Sequence, residues 1–349
     1  MAVLKRVAQY EKGPKKMEPD LDSPVLVAGG GGFIGGWLVR ALLEQGFSTI
    51  RSVDVKPLEH WYQRFDNVDN MVADLSQIDA CREATRDVRF VFNLAADMGG
   101  MGFIELNKAL CMLTVLINTH LLQAAREAGV ERYFFASSAC VYNAELQSTT
   151  EVIPLREDDA YPALPEDGYG WEKLFSERMV RHFEEDFGVQ GRVARYHNVY
   201  GPHGTWDGGR EKAPAALARK VAIAKLSGNN SIEIWGDGEQ TRSFTYIDDA
   251  IEGTQRLFWS QFSEPLNIGS EEMVSINQMV DLLEQIAGVK LQRQYNLSAP
   301  KGVRGRNSDN TKIRKELGWA PSVPLLTGLT ETYRWIHDKL ATGEHAAER

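Results

Sequence analysis

Short apolar runs alternate with amphipathic stretches over the first two hundred residues of the chain. Val25–Ala28 and residues 90–96 are nearly continuous apolar runs, which is the pattern of parallel strands covered on both faces. After the first run, apolar side chains recur at helical spacing up to about Gly46. Regular alternation of strands and helices predicts a doubly wound α/β fold with a parallel sheet.

The same pattern divides the chain into three predicted parts. Residues 1–22 form a polar and basic N-terminal extension, and residues 23–198 carry the regular alternation. Residues 199–349 are less regular, so we predict a smaller mixed α/β portion that binds substrate, with some segments returning to the first domain. The predicted strands are 25–28, 49–53, 90–96, 132–135 and 189–198, with one more ending at 74–75, and the predicted helices are one ending near 46 and those at 76–86, 106–128, 169–183 and 213–226.

Net charge and cysteine content exclude several classes of protein. The chain has 349 residues and a formal net charge of −9, which argues against the broad basic face that a nucleic acid or an anionic membrane requires. The sequence contains no run of about 18 apolar residues, so we predict no membrane span. Cys81, Cys111 and Cys140 form no C-x-x-C pair, so we expect reduced thiols and a cytoplasmic protein.

A glycine-rich turn directly follows the first predicted strand. Gly29, Gly32 and Gly35 have the spacing G-x-x-G-x-x-G, and Phe33 and Ile34 lie within it. Glycines allow the backbone to turn tightly and to approach a pyrophosphate, which rests against the N-terminus of the following helix. A strand, a glycine turn and a helix in this order predict the start of a Rossmann dinucleotide-binding domain.

Acidic residues near the ends of the next two strands are candidates for binding the adenosine half of the dinucleotide. Asp54 lies about twenty-five residues beyond the first glycine, where a carboxylate hydrogen-bonds ribose hydroxyls and repels a 2′-phosphate. We therefore expect NAD, although the nearby Lys56 keeps NADP open. Asp74 and Leu75 end the third predicted strand, where they would reach the adenine. The alternative is that Asp74 caps the following helix.

Two separate stretches carry the candidate chemistry. Ser138 follows a predicted buried strand, and Tyr169 and Lys173 lie one helical turn apart on one face of a helix. A tyrosine keeps its proton to about pH 10, and an adjacent ammonium lowers that pKa. The three side chains could therefore remove a proton from an alcohol while a hydride leaves. A Tyr-x-x-x-Lys pair alone is more often a surface pair, so this interpretation depends on the serine and the glycine turn.

Together these motifs resemble the extended short-chain dehydrogenase/reductase family. The resemblance rests on Gly29–Gly35, Ser138, Tyr169 and Lys173, and it extends from about residue 24 to residue 340. Within the family, five stretches resemble the members that epimerise GDP-mannose at C3 and C5, namely NLAADMGGMGFI, SSACVY, RYHNVYGPHGTWDGGREKAPAA, WGDGEQTRSFTYIDD and GVRGRNSDN. Thr114 departs from the family pattern, which often has asparagine at that helix position.

The resemblance implies an isomerase that uses tightly bound NAD. Such members oxidise C4 of GDP-mannose transiently, exchange protons at C3 and C5 and reduce C4 again, giving GDP-L-galactose, or GDP-L-gulose when C5 alone is epimerised. By the same resemblance, Cys140 and Lys212 are the proton-transfer pair. Each would tune the other, because a cation stabilises a thiolate and both pKa values move towards the working range. Inert packing is the alternative for Cys140, since cysteine is often buried in cores.

The resemblance also implies which residues hold the nucleotide sugar. A diphosphate requires fixed positive charge, for which Arg306 and Arg242 are the candidates, with Lys220 assisting and Arg304 as the alternative to Arg306. The implied substrate-binding set is Gly99, Ser138, Asn198, Glu211, Lys212, Ala213, Lys220, Gln240, Arg242 and Arg306. The histidines show no metal-ligand spacing, so no metal is expected.

Other activities on the same fold stay open. A nucleotide-sugar 4-epimerase or 4,6-dehydratase would share oxidation at C4 but would not need the Cys140–Lys212 pair. A non-catalytic NAD-binding protein would be expected to lack a member of the serine, tyrosine and lysine set, and all three are present. The resemblance further implies a homodimer that forms through helices around residues 105–128 and 167–186.

Overall fold

The computed structural model describes residues 20–299 and 302–343, so most of the predicted N-terminal extension lies outside the described residues. The strands are β1 (Val25–Ala28), β2 (Ile50–Asp54), β3 (Asp69–Val72), β4 (Phe90–Asn93), β5 (Arg132–Ser138), β6 (Gln190–Tyr196), β7 (Val199–Tyr200), β8 (Ser231–Trp235), β9 (Thr241–Ser243), β10 (Thr245–Tyr246), β11 (Leu266–Ile268), β12 (Met273–Ser275), β13 (Gln292–Asn296) and β14 (Gly305–Arg306). The helices are α1 (Phe33–Gln45), α2 (Ile78–Ala84), α3 (Met101–Leu106), α4 (Lys108–Met112), α5 (Thr114–Glu127), α6 (Tyr169–Phe187), α7 (Ala213–Ser227), α8 (Ile247–Phe258), α9 (Ile276–Ala287), α10 (Thr311–Leu317) and α11 (Leu325–Ala341).

Within the described part of the chain, seven parallel strands form the central sheet in the order β11-β6-β5-β4-β1-β2-β3. The central strand shows why the sheet is buried on both sides. Val25 and Val27 enter the core on one face, and Leu26 and Ala28 enter the core on the other. All four are fully buried, so apolar surface is removed from water on both faces. The predicted doubly wound, parallel α/β fold is confirmed.

Different helices cover the two faces of this sheet. On one face α1 packs against α8, and α7, α9 and α11 extend the same core. On the other face α5 packs against both α2 and α6. Parallel strands have their carboxyl ends at one edge, so the segments that follow β1, β2, β4 and β5 meet there. That edge is where ligands bind in open α/β sheets.

The residues after β7 form small separate sheets and also return to the central one. Over the described residues, β9 lies between β12 and β14, β10 pairs with β7, and β13 pairs with β8. β11 instead pairs in parallel with β6 at the edge of the central sheet. The second half of the chain therefore contributes both to the central sheet and to structure outside it.

Several predicted elements have different limits in the structure; for example, the strand predicted for residues 189–198 is Gln190–Tyr196. The strand predicted for residues 90–96 ends at Asn93, whose Oδ1 accepts a hydrogen bond from the following loop at 3.2 Å. The helix predicted for residues 106–128 is divided among α3, α4 and α5. Asn107 separates the first two because its backbone, at φ −129° and ψ 42°, is not helical. The third strand ends at Val72, two residues before the predicted position.

One described stretch is long and apolar enough to cross a membrane by length and composition. Within residues Lys108–Glu127, an 18-residue stretch has a mean hydropathy of 1.2, and 39% of that stretch is buried inside the chain. A core helix of a soluble protein meets the same criterion, so composition alone does not place this stretch in a lipid bilayer. The absence of a membrane span stays a prediction.

Candidate active site

Close backbone contacts form the glycine turn. Gly29 has φ +81°, a conformation that side chains rarely adopt. A Cβ at Gly35 would overlap the carbonyl oxygen of Gly29, so α1 begins directly against the end of β1. Gly32 is the N-cap residue of α1, no described side chain caps this helix, and Phe33 and Ile34 form its first turn. The amides of Gly29, Gly30 and Gly32 already donate to backbone carbonyls, so the amides at the N-terminus of α1 are the candidates for binding a phosphate of the predicted dinucleotide.

Asp54 lies at the end of β2 beside this turn. Its side chain is 9% exposed, and burial raises the pKa of the carboxyl group while Lys56 opposes the shift. The amide of Lys56 donates to Asp54 Oδ1 at 3.1 Å, and the Lys56 ammonium donates to the carbonyl of Gly31 at 3.0 Å. A carboxylate next to the glycine turn fits the ribose hydroxyls of NAD, and the glycine turn fits its pyrophosphate.

Asp74 and Leu75 do not end a strand. They follow β3 after a gap, and Asp74 Oδ1 accepts a hydrogen bond from the amide of Ser76 at 2.9 Å. Hydrogen bonds from Ser76 lower the pKa of the Asp74 carboxyl, and Leu75 is buried in the core. The strand-end placement was wrong because the carboxylate closes a turn that leads towards α2. Their contact with the adenine stays a prediction.

Ser138, Tyr169 and Lys173 lie together at the carboxyl edge of the sheet. Ser138 ends β5, and the other two are buried on the first two turns of α6. Lys173 Nζ lies 5.5 Å from the centre of the Tyr169 ring and 4.7 Å from the centre of the Phe135 ring. The structure therefore brings the three predicted residues into one cluster.

Burial shifts the pKa values of two residues in this cluster. Burial raises the pKa of Tyr169 well above its usual value, Cys140 and Glu172 raise it further, and a hydrogen bond with Ser138 lowers it. Burial also lowers the pKa of Lys173, which nearby carboxylates, Glu172 first, oppose. Burial therefore sets the direction of both pKa shifts, and the expectation that Lys173 lowers the pKa of Tyr169 stays a prediction.

Cys140 lies beside two cations. It follows Ser138 in a short 3-10 helix (Ala139–Val141), and its Sγ accepts a hydrogen bond from Arg306 Nη1 at 3.6 Å. Lys212 is the N-cap of α7. Burial lowers the pKa of its ammonium, and the neighbouring Cys140 opposes that shift. The two residues of the predicted proton-transfer pair are thus neighbours in the structure, with Arg306 as a third member.

The backbone of Cys140 is fixed against the helix that carries Tyr169. The Cys140 carbonyl accepts a hydrogen bond from the amide of Glu166 at 3.0 Å. A Cβ at Gly170, the second residue of α6, would overlap the same carbonyl oxygen. The 3-10 helix and α6 therefore pack backbone to backbone, which places the segments that carry the thiol and the phenol in direct contact.

Arg306 is 4% exposed, and three side chains hold its guanidinium group. Glu166 forms an ion pair with it, Gln147 Oε1 accepts a hydrogen bond from Nε at 2.6 Å, and Cys140 accepts one from Nη1. Glu166 Oε2 is buried and makes no hydrogen bond within the described residues. Arg306 therefore contacts Cys140, one member of the predicted proton-transfer pair, and its predicted contact with the diphosphate stays a prediction.

Two further predicted substrate residues, Arg242 and Gln240, are buried close to this group. Burial lowers the pKa of the Arg242 guanidinium to about 10, and the charge of Cys140 opposes the shift. Gln240 Nε2 donates to a backbone carbonyl at 3.1 Å, whereas its Oε1 is buried and has no hydrogen-bond partner among the residues described. An unpaired buried acceptor beside a buried cation is an arrangement that suits a polar ligand.

The remaining members of the predicted substrate set lie in the loops around this edge. Gly99 is in the loop after β4 and packs against α3, Asn198 has φ +43° and donates to a backbone carbonyl at 3.0 Å, and Ala213 is the first residue of α7. Glu211 forms an ion pair with a residue of α7 at 2.9 Å. Lys220 lies two turns into α7 and donates to the carbonyl of Glu233 at 2.9 Å.

Arg304, the alternative to Arg306, is more exposed and pairs with Asp237 at 3.0 Å. Thr114, the departure from the family pattern, accepts a hydrogen bond from the amide of Asp97 at 3.2 Å and so supports the loop after β4. Over residues 20–299 and 302–343, no cluster of three or more His, Cys, Asp or Glu side chains could hold a metal ion.

Sequence reasoning missed three residues of this site. Gln147 ends a short 3-10 helix (Ala144–Gln147) and Glu166 lies in the loop before α6, and the composition of neither segment gives a signal for a partner of Arg306. Glu172 is different, because it lies three residues after Tyr169 and therefore on the same side of α6. A charged residue on the buried face of a helix is the signal that would have found it.

Comparisons with known proteins agree with this geometry. The NAD dependent epimerase/dehydratase family model matches residues 25–269. GDP-mannose 3,5-epimerase 1 of Oryza sativa subsp. indica is 48% identical over 317 residues, which cover 90% of this chain and 82% of that protein. GDP-mannose 3,5-epimerase of Arabidopsis thaliana is 45% identical over 323 residues, which cover 92% and 84%. The crystal structure of UDP-glucose 4-epimerase from Thermotoga maritima has a TM-score of 0.81 at 26% identity and covers 91% of this chain and 99% of that one.

A Ser-Tyr-Lys cluster beside a glycine turn can deprotonate an alcohol next to a bound dinucleotide that accepts its hydride. This combination defines an enzyme of the short-chain dehydrogenase/reductase class. The length of the family match and the sequence identity to the two plant proteins identify the family within this class. The chain belongs to the NAD dependent epimerase/dehydratase family. Its cofactor is NAD, and the glycine turn and Asp54 fit that group.

Proposed function

We propose that the chain is a GDP-mannose 3,5-epimerase that forms GDP-L-galactose, and GDP-L-gulose when C5 alone is epimerised. One observation carries the proposal: the thiol of Cys140 lies beside Tyr169 and Ser138, contacts Arg306 and interacts electrostatically with Lys212. An enzyme that inverts only C4 does not require a thiol and an ammonium in addition to the tyrosine. The names of the rice and Arabidopsis relatives support the same substrate.

Tyr169 is the group that takes the proton of the C4 hydroxyl. NAD⁺, when bound along the glycine turn, Asp54 and Lys173, supplies the acceptor for the hydrogen of C4 and returns it at the end. Ser138 hydrogen-bonds the phenol and orients it. Lys173 stabilises the negative charge that develops on the phenol, because its ammonium is buried 5.5 Å from the ring centre, where water screens little.

Cys140 and Lys212 carry the proton chemistry at C3 and C5. A ketone at C4 acidifies the hydrogens on both neighbouring carbons, so each carbon needs one group to remove a proton and another to deliver one. Arg306 stabilises negative charge on the sulfur through its contact at 3.6 Å. Glu166 and Gln147 hold the guanidinium in that position.

The diphosphate of the substrate is assigned to Arg242, with Lys220 assisting, and Gln240 is assigned to the sugar. The buried guanidinium of Arg242 supplies fixed charge, and the unpaired Oε1 of Gln240 offers an acceptor to a sugar hydroxyl. Asn198, Gly99 and the Glu211–Ala213 segment complete the binding site from the surrounding loops.

The proposed assembly is a homodimer in the cytoplasm. Large apolar side chains on α4, α5 and α6, and one between α4 and α5, are between 41% and 56% exposed. They are Leu110, Leu113, Leu116, Trp171 and Phe175. An apolar face of this kind is suited to burial against a second copy. The three unbonded cysteines support a reducing compartment.

Incubation of the purified protein with GDP-mannose, followed by mass and NMR analysis of the product, tests the proposal. GDP-L-galactose with a smaller amount of GDP-L-gulose is expected, at unchanged mass. A product inverted only at C4 would indicate a 4-epimerase, and a loss of one water would indicate a dehydratase. Either outcome, or no conversion of GDP-mannose, would overturn the assignment.

A further inference from the structure

Next to Lys173, the chain buries a carboxylate that the proposed reaction does not use. The side chain of Glu172 has 0% exposure. Its Oε1 accepts hydrogen bonds from Asn118 Nδ2 and from Ser176 Oγ, the latter at 2.8 Å. Burying a charge lowers stability unless the charge is matched, so a fully buried carboxylate requires a physical reason.

The side chains around Glu172 present hydrogen-bond donors to its carboxyl group. Asn93 Nδ2 donates to Asn118 Oδ1 at 2.8 Å, which commits the oxygen of the Asn118 amide and leaves its NH₂ group to face Glu172. Asn118 also donates to Ser176 Oγ at 3.0 Å, so the serine proton points towards the carboxylate. Both partners of Oε1 are therefore donors, and an acceptor that carries full charge suits them best.

The second oxygen of Glu172 faces Lys173. Oε2 makes no hydrogen bond to any residue that the structure describes, and it lies 3.8 Å from Lys173 Nζ. The ammonium is otherwise close to the rings of Phe135 and Tyr169. We propose that Glu172 is a positioning residue that keeps Lys173 protonated, so that the ammonium is present when Tyr169 gives up its proton. This role rests on the proposed function in so far as Tyr169 and Lys173 act at C4.

Other titratable groups near this pair do not replace Glu172. The groups that face Lys173 or Glu172 are Tyr133 of β5, Cys111 of α4, Cys140 of the 3-10 helix, and Tyr169 and Glu177 of α6. Burial raises the pKa of Tyr133 and of Cys111, which keeps both neutral near pH 7. Glu177 pairs with Arg195 at 2.7 Å, so its charge is already matched. Among these described groups, Glu172 is the carboxylate with an oxygen left for the lysine.

The test is Glu172→Gln, which preserves the shape of the side chain and its two hydrogen bonds but removes the charge. The readout is the pH dependence of the first oxidation at C4, followed in a single turnover by the near-ultraviolet absorbance of reduced nicotinamide. Without the carboxylate, Lys173 loses its proton at lower pH, so the alkaline limb should move towards acid by about 1 to 3 pH units. Thermal melting at several pH values gives a second readout that does not depend on turnover.

Ser176→Ala is the matched control, because it removes one hydrogen bond to Glu172 and leaves the charge in place. It is expected to lower the melting temperature without moving the alkaline limb. An unmoved limb in Glu172→Gln, or an equal shift in both variants, would overturn the role. If Glu172→Gln does not fold, the pair Glu172→Gln with Asn118→Asp moves the carboxylate one side chain away. Its alkaline limb should still lie below that of the unmodified protein, and an unshifted limb would again refute the role.

The proposed function fails separately from this inference. If the unmodified protein does not oxidise GDP-mannose, the substrate assignment is wrong. The same pH profile is then measured with UDP-glucose, the sugar nucleotide bound by the Thermotoga structure. If the unmodified protein does oxidise GDP-mannose, the position of the alkaline limb decides the role of Glu172 alone.

Discussion

Replacing Cys140 by alanine is expected to separate oxidation at C4 from proton exchange at C3 and C5. The substitution removes one sulfur atom from a side chain that is 6% exposed. Arg306 keeps its contacts with Glu166 and Gln147, so the cost in folding stability should be only about 1 kcal/mol. Tyr169 and Lys173 are untouched, so cofactor retention and oxidation at C4 should remain.

The loss of proton exchange should be much larger than the loss of stability. General acid–base groups contribute about 10²–10⁴-fold in rate, which corresponds to about 3–5 kcal/mol of transition-state stabilisation. In D₂O the unmodified protein should place deuterium at C3 and C5 of the product and none at C4, as read by NMR. Cys140→Ala should lose that deuterium by at least a hundredfold, and Tyr169→Phe should lose it as well, because no ketone forms.

Cys111→Ala is the matched control. Cys111 lies in the same apolar cluster as Cys140 and Tyr169 and is fully buried, but it contacts neither of the cations that flank Cys140 in the site described above. It should lose some stability and retain deuterium exchange. If Cys140→Ala still incorporates deuterium at C3 and C5 at a near-normal rate, Cys140 is packing and the assignment of the proton chemistry is wrong.

Three further predictions follow from other parts of the site and the core. Denaturation of the purified protein should release NAD, because Asp54 lies beside the glycine turn where a 2′-phosphate would be repelled; recovery of mainly NADP would contradict this. Arg306→Ala should lower kcat/KM at least about tenfold and strand the buried Glu166 carboxylate at a cost of about 3 kcal/mol, so adding Glu166→Gln should restore the melting temperature but not the activity. Burial lowers the pKa of His197 to about 4, so between about pH 6.5 and pH 4 the unfolded chain binds a proton at this residue and the folded chain does not. The free energy of unfolding should therefore fall by up to about 3 kcal/mol between pH 6.5 and pH 4, and His197→Gln should flatten this slope in urea titrations.

Apolar runs and glycine spacing correctly predicted the elements that are determined by neighbouring residues in the sequence. The buried strand at residues 25–28 and the glycine turn follow from apolar runs and from glycine spacing, and both are present in the structure. The helix predicted for residues 106–128 was wrong in its continuity, because Asn107 separates α3 from α4 and Leu113 lies between α4 and α5. Apolar periodicity does not report such a break.

The candidate site was less accessible to sequence reasoning. Cys140 and Lys212 were paired by family resemblance, since nothing in their separate segments indicates that they meet. The raised pKa of Tyr169 follows from burial, which is a property of the folded chain, and the sequence showed only the favourable spacing of the lysine. Glu166 was missed because its partner, Arg306, lies far along the chain on a different element.

The backbone contact between Cys140 and Gly170 bears on which partner moves during the reaction. The backbones that carry the thiol and the phenol are packed against each other, so in the proposed reaction we expect the sugar, and not these two backbones, to turn as C4, C3 and C5 react. The diphosphate holds one end of the substrate, and the ring turns about the bonds that join it to that anchor. The ratio of singly to doubly inverted product then depends on the rate of ring rotation relative to the rate at which hydride returns to C4. Selection for a different product would change the residues that surround the sugar, while the contact between the two backbones would stay unchanged.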